Sequence, residues 1–212
     1  MSGGVAKIVA AVAVPLVWSN WLLPRLGFDP RGRTAVNAGF ASGYALVFGG
    51  RANWFSARGL RYGLVSASAV IAGYGAAVAI PGVRSRLREL ADRGPDVTLA
   101  EWVVVHIPIG TVYSEELIFR GTLDPLLDKT FGARAGMLLG ASTFGLWHIL
   151  PARAAGDSIP ATVAATALGG LAFGLLRRRT DSAAAPAMLH LAINAGGALA
   201  PRLAARWTRR PR

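Results

Sequence analysis

The sequence predicts an all-α fold, a polytopic transmembrane helical bundle with about seven spans, or eight on an alternative count. Of its 212 residues, 53% are hydrophobic and only 16% are charged. A soluble domain carries about a quarter charged residues. The apolar residues also form long blocks instead of amphipathic stripes, which is typical of segments that cross a bilayer.

The apolar blocks place the spans in order along the chain. The N-terminal run is interpreted as a first span, because no Ala-x-Ala-like cleavage site follows it. Thr98 and Glu101 form a capping-box pattern at the start of the fourth helix, which we expect to kink near Pro108. We expect helical structure to continue from residue 123 towards Lys129 despite Pro125. The predicted spans are 5–23, 35–48, 64–80, a fourth from residue 98, 135–150, 160–176 and 183–200.

The segments between these blocks are predicted to lie at the membrane surface. Residues 24–34 and 49–62 are interpreted as loops, and residues 83–97 as a short surface helix. Pro151 is expected to end the fifth span. Trp18 and Trp21 are interpreted as part of an interfacial belt, and Trp102 and Trp147 as interfacial or lipid-facing aromatics, as is common for tryptophan in membrane proteins.

The charged residues indicate a membrane surface as the partner. The formal net charge is +12, and the arginines occur in short groups between apolar blocks. Such groups bind anionic lipid headgroups, each cation contributing about 1 kcal/mol. We therefore expect membrane lipids and no nucleic acid as partners. The run 177–179 is interpreted as a topogenic loop, and a small excess of cations on one side places the C-terminal tail in the cytoplasm.

Composition also bounds the cellular setting and the chemistry. The abundance of Arg over Lys, with many Ala, Gly and Val residues, indicates a GC-rich bacterial genome. Together with the apolar blocks, it predicts an integral, multi-pass protein of a bacterial plasma membrane. The chain has no cysteine, which excludes disulfides, thiol nucleophiles and cysteine metal ligands. We divide it into N-terminal transmembrane helices and basic loops (1–97), a transmembrane core expected to hold the functional site (98–200) and a basic C-terminal tail (201–212).

A few strongly polar side chains fall inside the predicted spans, where their cost makes them candidates for function. Glu116 and Arg120 are four residues apart, so they share a helix face and can pair. Glu115 lies one step further round and points elsewhere, which makes it the better candidate for a base. His106, nine residues before Glu115, is expected on the opposite face and is left out of the site. The full set is His106, Glu115, Glu116, Arg120, His148, His190 and Asn194.

Three motifs in order on separate apolar helices resemble the type II CAAX prenyl protease family, also called the CPBP or Abi family of intramembrane proteases. The motifs are Glu115-Glu116-x-x-x-Arg120, Phe144-x-x-x-His148 and His190-x-x-x-Asn194. The chain departs from the family pattern at its end, since members commonly have another span after the third motif.

The resemblance implies a role for each of these residues. Glu115 and His148 would activate a water molecule, and His190 and Asn194 would stabilise the oxyanion. The supporting residues would be Glu116, Arg120 and Phe144.

The expected function is therefore an intramembrane endopeptidase that cuts a membrane-embedded or lipid-modified peptide or protein. Amide hydrolysis needs a base for water, an acid for the leaving amine and donors for the oxyanion, all of which this residue set offers. A metal-free glutamate mechanism is favoured, because Asn is a poor zinc ligand. A zinc-dependent version, with Glu115, His148 and His190 as ligands, stays open. So does a non-catalytic protein of the same fold that acts in bacteriocin immunity or as a membrane partner.

Overall fold

The computed structural model describes residues 2–207, which form helices joined by short loops. The first helical stretch joins α1 (Ser2–Val17), a π-helical segment (Trp18–Leu22) and α2 (Leu23–Arg25). Helix α3 (Pro30–Phe48) begins at Asp29, whose side chain accepts a hydrogen bond from the Gly32 backbone N–H. The predicted loop at 24–34 is therefore too long, because an N-cap followed by proline at the first helical position starts the helix early.

Helix α4 (Ala57–Ala79) also begins earlier than expected. The Ser56 hydroxyl caps it by accepting from the Gly59 backbone N–H, so the predicted loop at 49–62 ends at this serine. Helix α5 (Pro81–Arg88) follows and has no buried residue. The surface helix predicted within 83–97 is thus present in its first part.

The central helix carries the first polar motif. Thr98 caps α6 (Leu99–Glu101), and the chain continues through a π-helical segment (Trp102–Tyr113), α7 (Ser114–Ile118) and a second π-helical segment (Phe119–Leu123) into α8 (Asp124–Trp147). The prediction of helical structure from residue 123 towards Lys129 is confirmed. Pro125 stands in the first turn of α8, where a missing N–H leaves no hydrogen bond unmade.

Gly132 breaks α8 into two arms. Its φ of 80° and ψ of 160° are non-helical and lie in the left-handed half of the map that glycine tolerates. After this break the chain runs back beside the first arm, so that a Cβ on Gly136 would lie 2.7 Å from the Asp128 backbone nitrogen. The two arms form a tight helical hairpin.

The remaining helices are α9 (Ile149–Ala155), α10 (Ile159–Thr180) and α11 (Ala184–Trp207). The expectation that Pro151 ends the fifth span is wrong, because the helix breaks at His148 and Pro151 lies inside α9. Helix α11 runs through Pro201 to Trp207, so the first part of the predicted tail is helical. The rest of that tail, 208–212, lies outside the described residues.

The structure is a helical bundle with the character of an integral membrane protein. Within residues 2–207, three stretches are long and apolar enough to cross a bilayer: Gly4–Arg25, Ala57–Ala79 and Ile159–Thr180. The count of about seven spans stays a prediction. Buried aromatic rings form much of the core beneath the polar motifs, and include Phe119, Phe144, Trp147 and Phe173.

Candidate active site

Helix α7 places the two adjacent glutamates in different surroundings. Glu116 is fully buried, and its Oε2 lies 3.2 Å from Nε of Arg120, one helical turn later. Glu115 is 6% exposed and lines a cavity. The predicted division between the two carboxylates is therefore observed: the one that shares a face with Arg120 is paired with it.

Arg120 is held in an aromatic enclosure. Its guanidinium carbon lies 4.4 Å from the ring centroid of Phe144 and 4.9 Å from that of Phe173. Cation–π attraction offsets part of the cost of burying this charge, and the ion pair with Glu116 offsets more. The supporting residue Phe144 is itself 2% exposed and lies against both Arg120 and the histidine of its own motif.

Helix α11 brings His190 to the same carboxylate. The His190 Nδ1 lies 2.8 Å from Oε1 of Glu116, and its ring stacks on Phe173 with centroids 4.8 Å apart. A carboxylate accepts hydrogen bonds, so Nδ1 carries a proton and the opposite nitrogen, Nε2, points away from Glu116. Glu116 thus orients His190 and Arg120 together.

His148 is oriented by the backbone of its own helix. Its Nδ1 donates to the Phe144 carbonyl oxygen at 2.7 Å, which leaves Nε2 as the free nitrogen of the neutral ring. The non-helical ψ of 6° at His148 ends α8 there, and the side chain stays 19% exposed.

The two free imidazole nitrogens converge on Glu115. Its Oε2 lies 3.9 Å from Nε2 of His148 and 3.8 Å from Nε2 of His190. This oxygen is buried and has no hydrogen-bond partner among the described residues. Distances of this length between buried polar atoms leave space for a small bridging group.

The other oxygen of Glu115 is held by Trp147, a contact that the sequence did not reveal. The indole Nε1 donates to Oε1 at 3.2 Å, and the ring is only 3% exposed. The interpretation of Trp147 as interfacial or lipid-facing is wrong, because its ring packs edge-on against Phe119 in the core. Trp18 is likewise buried, at 8% exposure, and donates to Asn37.

Asn194 lies one turn after His190 and lines the same cavity as Glu115. Its side-chain amide donates to the His190 carbonyl oxygen at 3.1 Å. An amide NH₂ has two N–H bonds, so this contact leaves the second for the cavity.

The cavity has a volume of about 470 Å³ and brings together three of the four predicted catalytic residues, with His190 packed against Glu115 at its edge. His106 also lines it, so its expected position on the opposite face is wrong. The segment from Trp102 to Tyr113 is π-helical, and its wider i→i+5 turns change the angular spacing that α-helical geometry predicts. The three predicted catalytic residues that line the cavity are Glu115, His148 and Asn194.

His106 anchors a polar bridge beside this cavity. Its Nδ1 lies 2.7 Å from the Thr34 hydroxyl, and its Nε2 lies 3.2 Å from a carboxylate oxygen of Glu101. The same carboxylate binds Arg31 through two hydrogen bonds of 2.6 and 3.1 Å. The bridge fixes α3 to the start of the central helix and so holds that wall of the cavity in place.

The three groups that face one another do not form a ready metal site. Among residues 2–207, no group of three or more His, Asp or Glu side chains is arranged to hold a metal ion. Zinc with bonds of about 2.0–2.2 Å in tetrahedral geometry puts its ligands about 3.4 Å apart, closer than the 3.8 and 3.9 Å measured from Glu115. We therefore derive no catalytic step through a metal.

A second charge cluster, partly buried, lies in the same bundle. The Asp128 carboxylate lies 2.6 Å from Arg178 and 3.3 Å from Arg177, and Arg178 lies 3.8 Å from Asp124. The interpretation of 177–179 as a simple topogenic loop is therefore wrong for these two arginines, which lie in the last turn of α10 and pair across to the first arm of α8.

Comparison with known proteins identifies the segment that holds the site. Residues 97–196 match a family model described as Type II CAAX prenyl endopeptidase Rce1-like. This segment contains all three motifs. The comparisons found no significant match to a curated protein or to a solved structure.

Proposed function

We propose that this protein is an intramembrane endopeptidase with Glu115 as its base, and the match of residues 97–196 to the family model of Rce1-like type II CAAX prenyl endopeptidases supports this proposal. One observation carries the proposal. The unpaired Oε2 of Glu115 faces the Nε2 atoms of His148 and His190 at 3.9 and 3.8 Å beside a cavity. A water molecule that makes hydrogen bonds of about 2.8 Å fits between such atoms.

Charge balance assigns the protons of this cluster. The carboxylates of Glu115 and Glu116 carry two negative charges, and Arg120 carries one positive charge. A buried cluster is least costly when neutral, and Glu116 already holds Nδ1 of His190 at 2.8 Å. His190 then carries the additional proton at Nε2 as an imidazolium, while His148 stays neutral with a lone pair at Nε2.

These protonation states give each group a distinct part in hydrolysis. Glu115 and His148 accept the two hydrogens of the water, and Glu115 takes one of these protons as the oxygen attacks the substrate carbonyl carbon. The carbonyl π electrons move onto its oxygen, where His190 Nε2–H and the free N–H of Asn194 stabilise the negative charge. The carbon–nitrogen bond then breaks as Glu115 returns its proton to the amine.

The substrate class follows from the setting of the site. Glu115, Glu116 and His190 are each at most 6% exposed in a bundle with apolar outer helices. We therefore propose a membrane-embedded or lipid-modified peptide as substrate, either a prenylated C-terminal tail or an unmodified membrane peptide.

The decisive experiment measures cleavage by the purified full chain in lipid vesicles. One substrate is a farnesylated peptide and the other an unmodified hydrophobic peptide. We expect wild-type protein to cut one of them, and the variants Glu115→Gln and His148→Ala to lose cleavage while staying folded. Full cleavage by either folded variant would refute the glutamate mechanism, and a folded wild-type protein that cuts neither peptide would favour the non-catalytic alternative.

Metal dependence is decided on the same preparation. We expect elemental analysis to find no stoichiometric zinc, and chelator treatment to leave cleavage unchanged. Bound zinc whose removal abolishes cleavage, and whose return restores it, would replace this mechanism with the zinc-dependent version.

A further inference from the structure

A second cavity, of about 290 Å³, is lined by cationic groups and lies between two loops. One loop is the segment after α3, and the other joins α10 to α11. Three arginines and one aspartate are among its lining residues. They are Arg51, Arg120, Arg177 and Asp181.

Hydrogen bonds hold these two loops in one geometry. The Arg51 backbone N–H donates to the Gly121 carbonyl at 2.9 Å. The Asn53 carbonyl accepts from the Ala183 backbone N–H at 3.0 Å and from the Ser182 hydroxyl at 2.7 Å. The backbone at Arg51 is therefore held in a fixed frame beside the N-terminus of the 24-residue helix α11, whose dipole favours an anion.

The buried guanidinium of Arg120 is a second observation, separate from the helix N-terminus, that indicates a bound anion. Its side chain is 1% exposed, and its Nη2 is buried without a hydrogen-bond partner among the described residues. A buried guanidinium N–H without an acceptor is costly, and an anion in the adjoining cavity would satisfy it. Arg177 reaches the same cavity, although its Nη1 also lies 3.3 Å from Asp128. Arg51 is exposed at the cavity and has no side-chain partner in the described part of the chain.

We propose that this cavity binds a phosphate group through Arg51, Arg120 and Arg177. A phosphate monoester carries about 1.5 to 2 negative charges at neutral pH, and the exposed Arg51 has no carboxylate partner among the described residues. Arginine binds phosphate through paired N–H donors, and three arginines suit its three free oxygens. The phosphate would share Arg120 with Glu116. Its source is either a lipid headgroup or a free phosphate.

The test compares thermal unfolding of the full chain under conditions that separate these two sources. In vesicles of neutral phosphatidylcholine, inorganic phosphate is titrated against chloride at equal ionic strength, and the apparent Kd is taken from the rise of the unfolding midpoint. A parallel series replaces part of the phosphatidylcholine by phosphatidic acid. The test variant is Arg51→Gln. The matched control is Arg58→Gln, an exposed arginine on α4 whose side chain lies over Tyr62 and does not line the cavity.

We expect phosphate to stabilise the wild-type chain. The Arg51→Gln substitution should raise the apparent Kd for phosphate about tenfold or more, as loss of a charge-assisted contact predicts. Arg58→Gln should stay close to wild type. If only the phosphatidic acid vesicles stabilise the chain, with the same dependence on Arg51, the site takes a lipid headgroup. The proposal is overturned if neither condition stabilises the chain, if Arg51→Gln keeps the full effect, or if both variants lose it equally. Unfolding is measured without substrate, so this outcome is independent of proteolysis.

Discussion

Two groups of charged side chains lie inside the bundle, and they differ in how their charges are matched. In the first, Glu115 and Glu116 share one arginine and two histidines, and one carboxylate oxygen of Glu115 has no hydrogen-bond partner among the described residues. In the second, Asp128 accepts hydrogen bonds from Arg177 and Arg178 at 3.3 and 2.6 Å, Asp124 lies 3.8 Å from Arg178, and none of the four is a histidine. The second group consists of Asp124, Asp128, Arg177 and Arg178.

The difference indicates which group serves chemistry and which serves structure. A carboxylate whose oxygens accept hydrogen bonds, as those of Asp128 do, has its lone pairs committed and cannot readily take a proton from water. A carboxylate oxygen without a hydrogen-bond partner beside a cavity can, provided that neighbouring groups keep it in place. Trp147 does this for Glu115 by holding its other oxygen. We expect changes in the first group to affect turnover and changes in the second to affect stability.

The largest expected effect comes from Glu115→Gln. Glutamine keeps the size of the side chain and an oxygen that can accept from Trp147, but it cannot take a proton. We expect cleavage to fall by roughly 10²- to 10⁴-fold, with the free energy of unfolding changed by about 1 kcal/mol or less. Cleavage of the membrane peptide and chemical unfolding, measured on one preparation, check this. A variant that unfolds readily would instead place Glu115 among the structural charges.

The reciprocal change in the second group is Asp128→Asn. It removes the carboxylate that holds Arg177 and Arg178, whose side chains are only 19% and 16% exposed. We expect the free energy of unfolding to fall by about 3 kcal/mol, because two poorly solvated cations lose their partner. Cleavage per folded molecule should stay near wild type. A loss of turnover as deep as that of Glu115→Gln would show that the two groups act as one.

The contrast between these groups also marks the limit of prediction from sequence. The division between Glu115 and Glu116 was predictable, because residues four apart on a helix share a face whatever surrounds them. The pairing of Asp128 with Arg178, fifty residues later, depends on the hairpin at Gly132 and has no local signal. The position of His106 was missed because π-helical turns leave no mark in an α-helical pattern.

Packing of the helical hairpin should matter less than its charges. A Cβ on Gly136 would lie 2.7 Å from the backbone nitrogen of Asp128 and 2.9 Å from its Cα, neither of which can move away easily. We expect Gly136→Ala to lower the free energy of unfolding by about 2 kcal/mol through overpacking, and to leave the cleavage rate of folded protein unchanged. Gly39→Ala in α3 is the matched control, since no atom lies within 4 Å of its Cβ position. Equal stability of the two variants would mean that the two arms are not in tight contact.

The smallest expected effect separates the placement of Glu115 from its charge. Trp147→Phe removes the N–H that holds Oε1 at 3.2 Å but keeps an aromatic ring against Phe119. One hydrogen bond to a charged group contributes about 1.5 kcal/mol, so we expect cleavage to fall about tenfold while the free energy of unfolding changes by about 1 kcal/mol. Trp102→Phe is a suitable control, because Trp102 lines the same cavity and has no hydrogen bond to Glu115 among the described residues. If both variants cleaved at the wild-type rate, Glu115 would be positioned by its histidine neighbours alone. The carboxylate of Glu115 would then be held in its catalytic position by the charges of the first group, without the hydrogen bond from Trp147.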